Sequence, residues 1–473
     1  MAQRRSLDQR RSSIHPLPWL LAAVLLWAPV PFASIREKHQ MLLSLAAFAA
    51  LAVAALVTRR RRELGAHALL SAAALAAVAG LAGLQLVLPP AGVAAQLHSW
   101  ARELSSASGQ VLETAAGFAL NPSAVGWSAM AWLAAAALLV AAATAGRSRD
   151  GRRILGAALL ASALFQVIFG AQHLARRSTT IWGREVPNTP DRLRGTFVNP
   201  DHCATYLLLG LAVVFAWGWW AWRRARQVEA PERKVLLLAP PALAWLTLFA
   251  GLAFTGSRSA LAAALAATVL QGALAAAAAR RWHLSVAGAL AAAVGIGFVA
   301  VVGLQQGLGR WLATSPYEVA WNIRLSVYER SFELWQRAPW LGFGLGSFRD
   351  AFALVSPAGL TAEFWDAHNQ YLELLVTGGL AAFALVAAAA ALTITRLSRV
   401  LRQGARSEDR AAAVAALGAL TAMAIHSFFD FGLSMPANAA TFVVLVGAAL
   451  GARTERAGGE RRGGGVPDST TSG

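Results

Sequence analysis

The stretch DRLRGTFVNPDHCATYLLLG, residues 191–210, sets Arg192 and Arg194 with Asn199, Asp201 and His202 directly before an apolar run. Two more arginines stand in comparable places: Arg258 within FTGSRSA (254–260) and Arg324 at the head of RLSVYERSFELWQR (324–337). A guanidinium is always charged and presents a planar fork of donors, so it grips two phosphate oxygens at once where an ammonium cannot. Ser257-Arg258-Ser259 opens a helix, and the bare N–H groups of a helix start add a second attraction for an anion. A plainer use competes at each position: reaching out to phospholipid head groups, or pairing with Asp191, Asp201 or Glu318.

Histidines supply candidate proton chemistry. In DAHNQYLELL (366–375), Asp366 is a candidate N-cap, which puts His368 in the first turn of the helix that follows, with Asn369 beside it. The positive end of a helix lowers a histidine's pKa, so the imidazole stays neutral and able to accept a proton, as a general base must. The competing reading is a histidine that only satisfies a helix end or a head group. In HSFFDFGLSMPAN (426–438), His426 and Asp430 are four apart, on one helical face, and within reach of a hydrogen bond.

Several chemistries are missing from the chain. No G-x-x-x-x-G-K-[ST] loop is present, and GFGLG (342–346) follows Pro339 and reads as a turn. There is no D-x-D to hold a divalent ion on a diphosphate. A zinc site would draw on His202, His368, His426 and Asp430, but neither H-E-x-x-H nor any compact ligand spacing appears. Neither metal nor cofactor is expected. The one cysteine, Cys203, excludes an intrachain disulfide.

These residues need elements to position them, and composition says which. Of 473 residues, 57% are hydrophobic and only 14% charged, against about a quarter charged in soluble proteins. The apolar residues fall in blocks of about 20, the length of a membrane-crossing helix. Twelve spans are predicted, at about 16–35, 40–58, 65–88, 123–145, 153–174, 203–222, 235–255, 259–279, 284–305, 372–395, 411–429 and 436–452. The net charge of +18 does not point to nucleic acid, because its arginines sit in short segments between the blocks. The N-terminal arm (1–15), segments 58–63, 146–153, 223–234, 280–283 and 396–410, and the tail (453–473) are arginine-rich and fall on one side. The positive-inside rule makes that side the cytoplasm and places both termini there. The first block reads as an uncleaved span, and the glycine-rich tail as disordered.

The external side then carries three long segments, 89–122, 175–202 and 306–371, outside a membrane domain of 16–452. In 324–337, Leu325, Tyr328, Phe332 and Trp335 recur at helical spacing and suit an amphipathic helix on the membrane surface. Trp311, Trp321, Trp335, Trp340 and Trp365 read either as an interfacial aromatic belt or as stacking platforms for sugar rings or a lipid head group. A site on that side faces away from nucleoside triphosphates, which leaves a lipid-linked phosphate or pyrophosphate as partner for the arginines.

RLRGTFVNPDHCATYL, LAFTGSRSALAAALAA, RLSVYERSFELWQRAPWLGFGLGSF, AHNQYLELLVTGGL and HSFFDFGLSMPAN occur in that order, and together they resemble the O-antigen ligase and polymerase superfamily over about residues 190–450. The resemblance implies an all-α integral membrane protein of GT-C-type architecture in the bacterial inner membrane, with its active site facing the periplasm. It implies an inverting, metal-independent glycosyltransferase that moves a glycan from undecaprenyl pyrophosphate to an acceptor hydroxyl. Arg194 and Arg258 would hold the pyrophosphate, with Arg324 assisting and Arg192 open as a substitute for Arg194. His368 would be the base, or the group that orients the acceptor hydroxyl. Asn369, Asn199, His426 and Asp430 would support. The family often shows a second asparagine where this chain has Asp201. The acceptor stays open between a growing glycan, a lipid A core and a protein. The alternative reading is a transporter or flippase for an anionic lipid-linked substrate, with external arginines lining half of a pathway.

Overall fold

The computed structural model describes residues 16–59, 65–89, 95, 96, 99, 106, 118–186, 191–279, 315–355 and 364–454, with the backbone alone for 315–323. The predicted span 284–305, the arm 1–15, the tail beyond 454, Trp311, and most of segments 89–122 and 306–314 lie outside them. Among the described residues the regular elements are helices apart from one two-stranded hairpin and an isolated bridge between Gly404 and Thr454. Eight of the helices among the described residues are long and apolar enough to cross a membrane. They are α2 (Glu37–Arg59, apolar over Glu37–Thr58), α3 (Ala66–Val87), α4 (Pro122–Ala145), α5 (Arg149–Ala175), α6 (Pro200–Ala225), α7 (Pro231–Phe254), α8 (Arg258–Ala279) and α11 (Gln370–Gln403). The helices α1 (Pro16–Trp27) and α13 (Pro436–Leu450) are apolar but shorter, and α12 (Ser407–His426) packs between α6, α8 and α11. The remaining helices, α9 (Ser315–Arg337) and α10 (Phe348–Phe352), belong to the long segment before α11. This is a multi-pass membrane protein.

Three differences from the expected elements have local causes. The first span, expected over 16–35, stops at Trp27, before Pro29 and Pro31 and a left-handed run at Phe32–Ser34. The helix expected to begin after Asp366 begins at Gln370 instead, because Asn369 is the N-cap: its side-chain oxygen accepts from the Tyr371 and Leu372 amides at 3.0 and 3.1 Å. The helix over 324–337 forms, yet its buried face is Val327, Ser331 and Leu334, while Leu325 and Phe332 are exposed. It also begins earlier, at Ser315, so Arg324 stands within the helix and not at its head.

The centre of the bundle is α6, with 72% of its apolar window buried. Asn199 caps it by accepting from the Asp201 amide at 2.9 Å, Pro200 takes the first helical position, and Arg223 and Arg224 complement the far end. Buried polar side chains fix its neighbours. Tyr206 donates to Ser162 of α5 at 2.8 Å. Gln271 of α8 donates to the carbonyls of Ala212 in α6 and Val414 in α12, at 2.9 and 3.1 Å. A side chain at Gly418 would collide with that amide, at 2.3 Å from Gln271 Cδ. Hydrogen bonds buried among apolar helices hold register where burial alone does not. So α6, α8 and α12 are locked together, and the ends that bear His202, Arg258 and His426 are locked with them.

α11 is not one rod. Gly379 (φ 64°, ψ −169°) interrupts it, and segment 339–346 lies in the break, with Pro339 and Trp340 carbonyls accepting from Leu380 and Ala381. Buried Gln85 of α3 serves the exposed backbone there: its amide reaches the carbonyls of Leu341 (2.6 Å) and Thr377 (3.0 Å), and its oxygen accepts from the Leu345 amide (2.9 Å). Irregular backbone at membrane depth requires such internal partners.

The two ends of the bundle separate chemically. At one, Arg152 meets Asp409 at 2.6 Å, Arg149 meets Glu408 at 2.6 Å, and Arg396 holds the Ala452 carbonyl. Asp409 also accepts from the Arg406 and Arg453 amides. Asp409→Ala strands the nearly buried Arg152 and should destabilise the protein by about 3–5 kcal/mol, measured as thermal unfolding in detergent. The opposite end carries the segments before α6, α8, α11 and α13.

Candidate functional site

Four helix starts converge there, and each brings polar residues to one place. The turn Thr255–Ser257 before α8 is made possible by Gly256 at φ 68°. Arg192 lies along it, donating from Nε to the Thr255 carbonyl at 2.5 Å and pairing through Nη2 with Asp201 at 2.9 Å. Arg192 thus links the start of α6 to the start of α8, where Arg258 is the first helical residue and Ser257 is buried.

Ser259, one residue on, contacts His426 at the end of α12, with Oγ 3.0 Å from Nδ1. His426 Nε2 is 3.3 Å from Asp430 Oδ2, both side chains nearly buried. The pair was expected on one helical face, but α12 ends at His426 and Asp430 returns to it across a turn. Burial opposes ionisation of Asp430, yet the His426 contact, reinforced by the His202 charge and the Phe431 amide, outweighs it and holds the carboxyl at about 2. His426 therefore stands between the Asp430 carboxylate and the Ser259 hydroxyl. The contacts Asp430–His426–Ser259 tie the end of α12 to the first turn of α8, which carries Arg258.

His368 precedes the Asn369 cap and stands in the left-handed region at φ 51°. Histidine visits that region more readily than most residues, but the conformation is held from outside. The Tyr328 hydroxyl of α9 donates to the carbonyls of both His368 (3.0 Å) and Phe428 (3.2 Å). The Phe431 ring lies between two imidazoles, 5.3 Å from His368 and 4.6 Å from His202. The lowered pKa expected of His368 is present, with a different origin: burial first, then the Arg324 charge, lower it, while Asp430 and Asp201 oppose. Arg324, His202, Asp201 and Asp430 all bear on this one imidazole.

Arg194 stands apart from that group. It is 3% exposed and donates from Nη2 to the Ser178 carbonyl at 3.2 Å, on the side of the hairpin formed by β1 (Thr180–Ile181) and β2 (Arg184–Glu185). The structure thus brings together His368, Arg324, Asp201, His202, His426 and Asp430, and joins Arg192 and Arg258 to them through one turn. Asn199 and Asn369 act as helix caps. Among the described residues no group of three or more His, Cys, Asp or Glu side chains is arranged to hold a metal ion.

Sequence reasoning missed Phe431 as the spacer between the histidines and Ser259 as the partner of His426, although both stand within quoted motifs. It also missed Asp366 as a titrating group. Burial, then the Asp430 charge, pushes the Asp366 carboxyl up to about 7. A carboxyl raised above its unfolded value of about 3.9 keeps a proton in the fold that the unfolded chain has lost, so stability falls as pH rises between those values. Asp366→Asn removes this dependence. Relative to wild type, it should gain thermal stability at pH 8 compared with pH 5 in detergent unfolding curves.

A family model described as O-antigen ligase matches residues 242–387. That span includes Arg258, Arg324, His368 and Asn369, but not Arg192, Arg194, Asn199, His426 or Asp430. No curated protein matches the chain.

Proposed function

From the match of residues 242–387 to the O-antigen ligase family model, we propose that the chain transfers a glycan from undecaprenyl pyrophosphate to an acceptor hydroxyl on the periplasmic side of the bacterial inner membrane. The reaction is inverting and needs no metal, on a GT-C-type scaffold of about twelve spans with both termini cytoplasmic. The observation that carries this reading is the convergence of a half-buried imidazole, its pKa lowered by burial, with Arg258 at a helix start and with Arg324, all at one end of the bundle.

Each residue has a part. Arg258 and Arg324 face the pyrophosphate, and negative charge grows there as the sugar–phosphate bond breaks. Fixed donors aimed at that charge need no reorganisation during the reaction. Arg192 and Arg194 approach from the α6 side. Arg194 must release the Ser178 carbonyl to reach a phosphate, and Arg192 must share itself with Asp201. His368 takes the proton of the acceptor hydroxyl as that oxygen attacks the anomeric carbon from the face opposite the leaving group. Asp430, His426 and Ser259 hold Arg258 in place.

The test is complementation of a strain that lacks its own polysaccharide transferase, with wild type, Arg192→Ala and Arg194→Ala at matched membrane levels. Glycan transfer is supported if wild type restores surface polysaccharide and a deficient arginine variant accumulates lipid-linked donor on the periplasmic face. Donor trapped on the cytoplasmic face would favour a flippase and overturn the transfer reading.

A further inference from the structure

The same end of the bundle holds a second basic concavity, which glycan transfer at the histidine cluster does not use. Its volume is about 360 Å³, and it lies between the connection from α1 to α2 and the β1–β2 hairpin. Arg36, Lys38, His39 and Arg184 line it together with Phe32 and Trp182, and none of its lining residues is acidic. Among the described residues, no carboxylate pairs with Arg36, Lys38 or Arg184 within 4.0 Å, although Glu37 and Glu185 are their chain neighbours. His39 Nδ1 is buried without a hydrogen-bond partner.

The aromatic walls are held in place against backbone preference. Phe32, Ala33 and Ser34 are consecutive left-handed non-glycine residues, with φ of 55°, 56° and 59°, and Trp182 is left-handed at φ 53°. Such conformations persist only where the surroundings over-determine them. Ser34 Oγ donates to the Ala28 carbonyl at 2.7 Å, and Trp182 Nε1 donates to the Val30 carbonyl at 3.0 Å. The guanidinium of Arg36 lies 5.3 Å from the Phe32 ring centre. Trp182 is thus tied at its polar edge while 49% of it remains exposed. An aromatic face fixed beside unpaired cations suits a ligand with an apolar ring face and a negative group.

The concavity is also coupled to the site through one segment. Thr196 donates to the Pro29 carbonyl at 2.6 Å, and Arg194 holds the Ser178 carbonyl next to the hairpin. The same segment carries Arg192 and Asn199 into the start of α6.

We propose that this concavity is a subsite for an anionic saccharide, a sugar bearing phosphate or carboxylate, which stacks on Trp182 with its charge on Arg36 and Arg184. Its role is to hold the acceptor glycan, and that role rests on the glycan-transfer reading, whereas the binding itself does not.

The test uses the full chain in phosphatidylcholine nanodiscs and saturation-transfer NMR on the ring protons of glucose 6-phosphate. Wild type should give a signal that glucose does not, and the signal should be lost in Arg36→Gln/Arg184→Gln and in Trp182→Ala. The single Arg184→Gln variant alters only an exposed side chain of the hairpin and should weaken the signal with the unfolding temperature unchanged. An unchanged signal in the variants, or none in wild type, overturns the proposal. Loss of the wild-type signal when phosphatidylglycerol replaces part of the phosphatidylcholine also overturns it, by showing a lipid head-group site. Full displacement by equimolar inorganic phosphate overturns the saccharide part. Transfer assayed alongside separates the two readings: if His368→Ala abolishes transfer while the subsite variants bind normally, only the subsite fails. If the variants lose binding while His368→Ala transfers normally, the subsite stands and the transfer reading fails.

Discussion

His368→Ala should lower glycan transfer by roughly 10²- to 10⁴-fold, the usual contribution of a positioned general base, with little change in membrane insertion. The left-handed backbone at this position is held through the His368 carbonyl, which Tyr328 grips at 3.0 Å, so the variant should still fold and insert. A kcat effect with donor binding preserved is the pattern expected from the proposed roles, in which the imidazole acts on the acceptor proton and the arginines on the donor. The acid limb of the activity profile should also report this group. Burial and the Arg324 charge lower its pKa from 6.5, so activity should persist below that value and fall only as the imidazole finally protonates. The measurement is donor turnover in proteoliposomes across pH 4.5–8, with wild type and variant compared. Equal turnover would remove His368 from the chemistry.

Arg258→Ala should be nearly as damaging. Removing one preorganised donor from a developing oxyanion typically lowers kcat by about 10²- to 10³-fold. The informative comparison is Arg258→Lys, which keeps the charge but loses the planar fork, so a bidentate grip predicts incomplete rescue. A residue engaged only with lipid head groups would be replaced by lysine without loss. Ser259→Ala supplies an internal control. It leaves the guanidinium in place but cuts the link to His426, and a positioning role predicts a smaller kcat loss than Arg258→Ala with no change in the acid limb.

Much of this was legible in the chain because the relevant signals are local. Apolar blocks of membrane length, arginine segments at one end and polar motifs at the other require no tertiary knowledge. Arg258 at the start of a helix followed from Ser257-Arg258-Ser259 alone. The choice between Asp366 and Asn369 as N-cap did not, since both residue types cap well. It is decided by the left-handed turn at His368, and that turn is held by Tyr328 from another helix. The α9 stripe Leu325, Tyr328, Phe332 and Trp335 identified a helix, but which face packs depends on partners distant in sequence. Arg192 and Arg194 are two residues apart with the same chemistry. Thr255 and Asp201 claim one and Ser178 the other, and only the fold reveals this. The break at Gly379 was hidden because glycine pairs are also ordinary in tightly packed membrane helices.

That break has a mechanical consequence. It divides α11 into a short piece of residues 370–378, which carries the histidine's anchoring cap, and a long piece of residues 380–403. The long piece alone, at about 1.5 Å per residue, exceeds the hydrocarbon thickness of a bilayer. When the surrounding lipid thins or thickens, a helix of that length tilts to compensate. An unbroken rod would transmit the tilt to His368. Here the rod is interrupted at Gly379 and the short piece is tied through the Thr377 carbonyl to Gln85 of α3, so the proposed transfer should keep its rate across membranes of different acyl length.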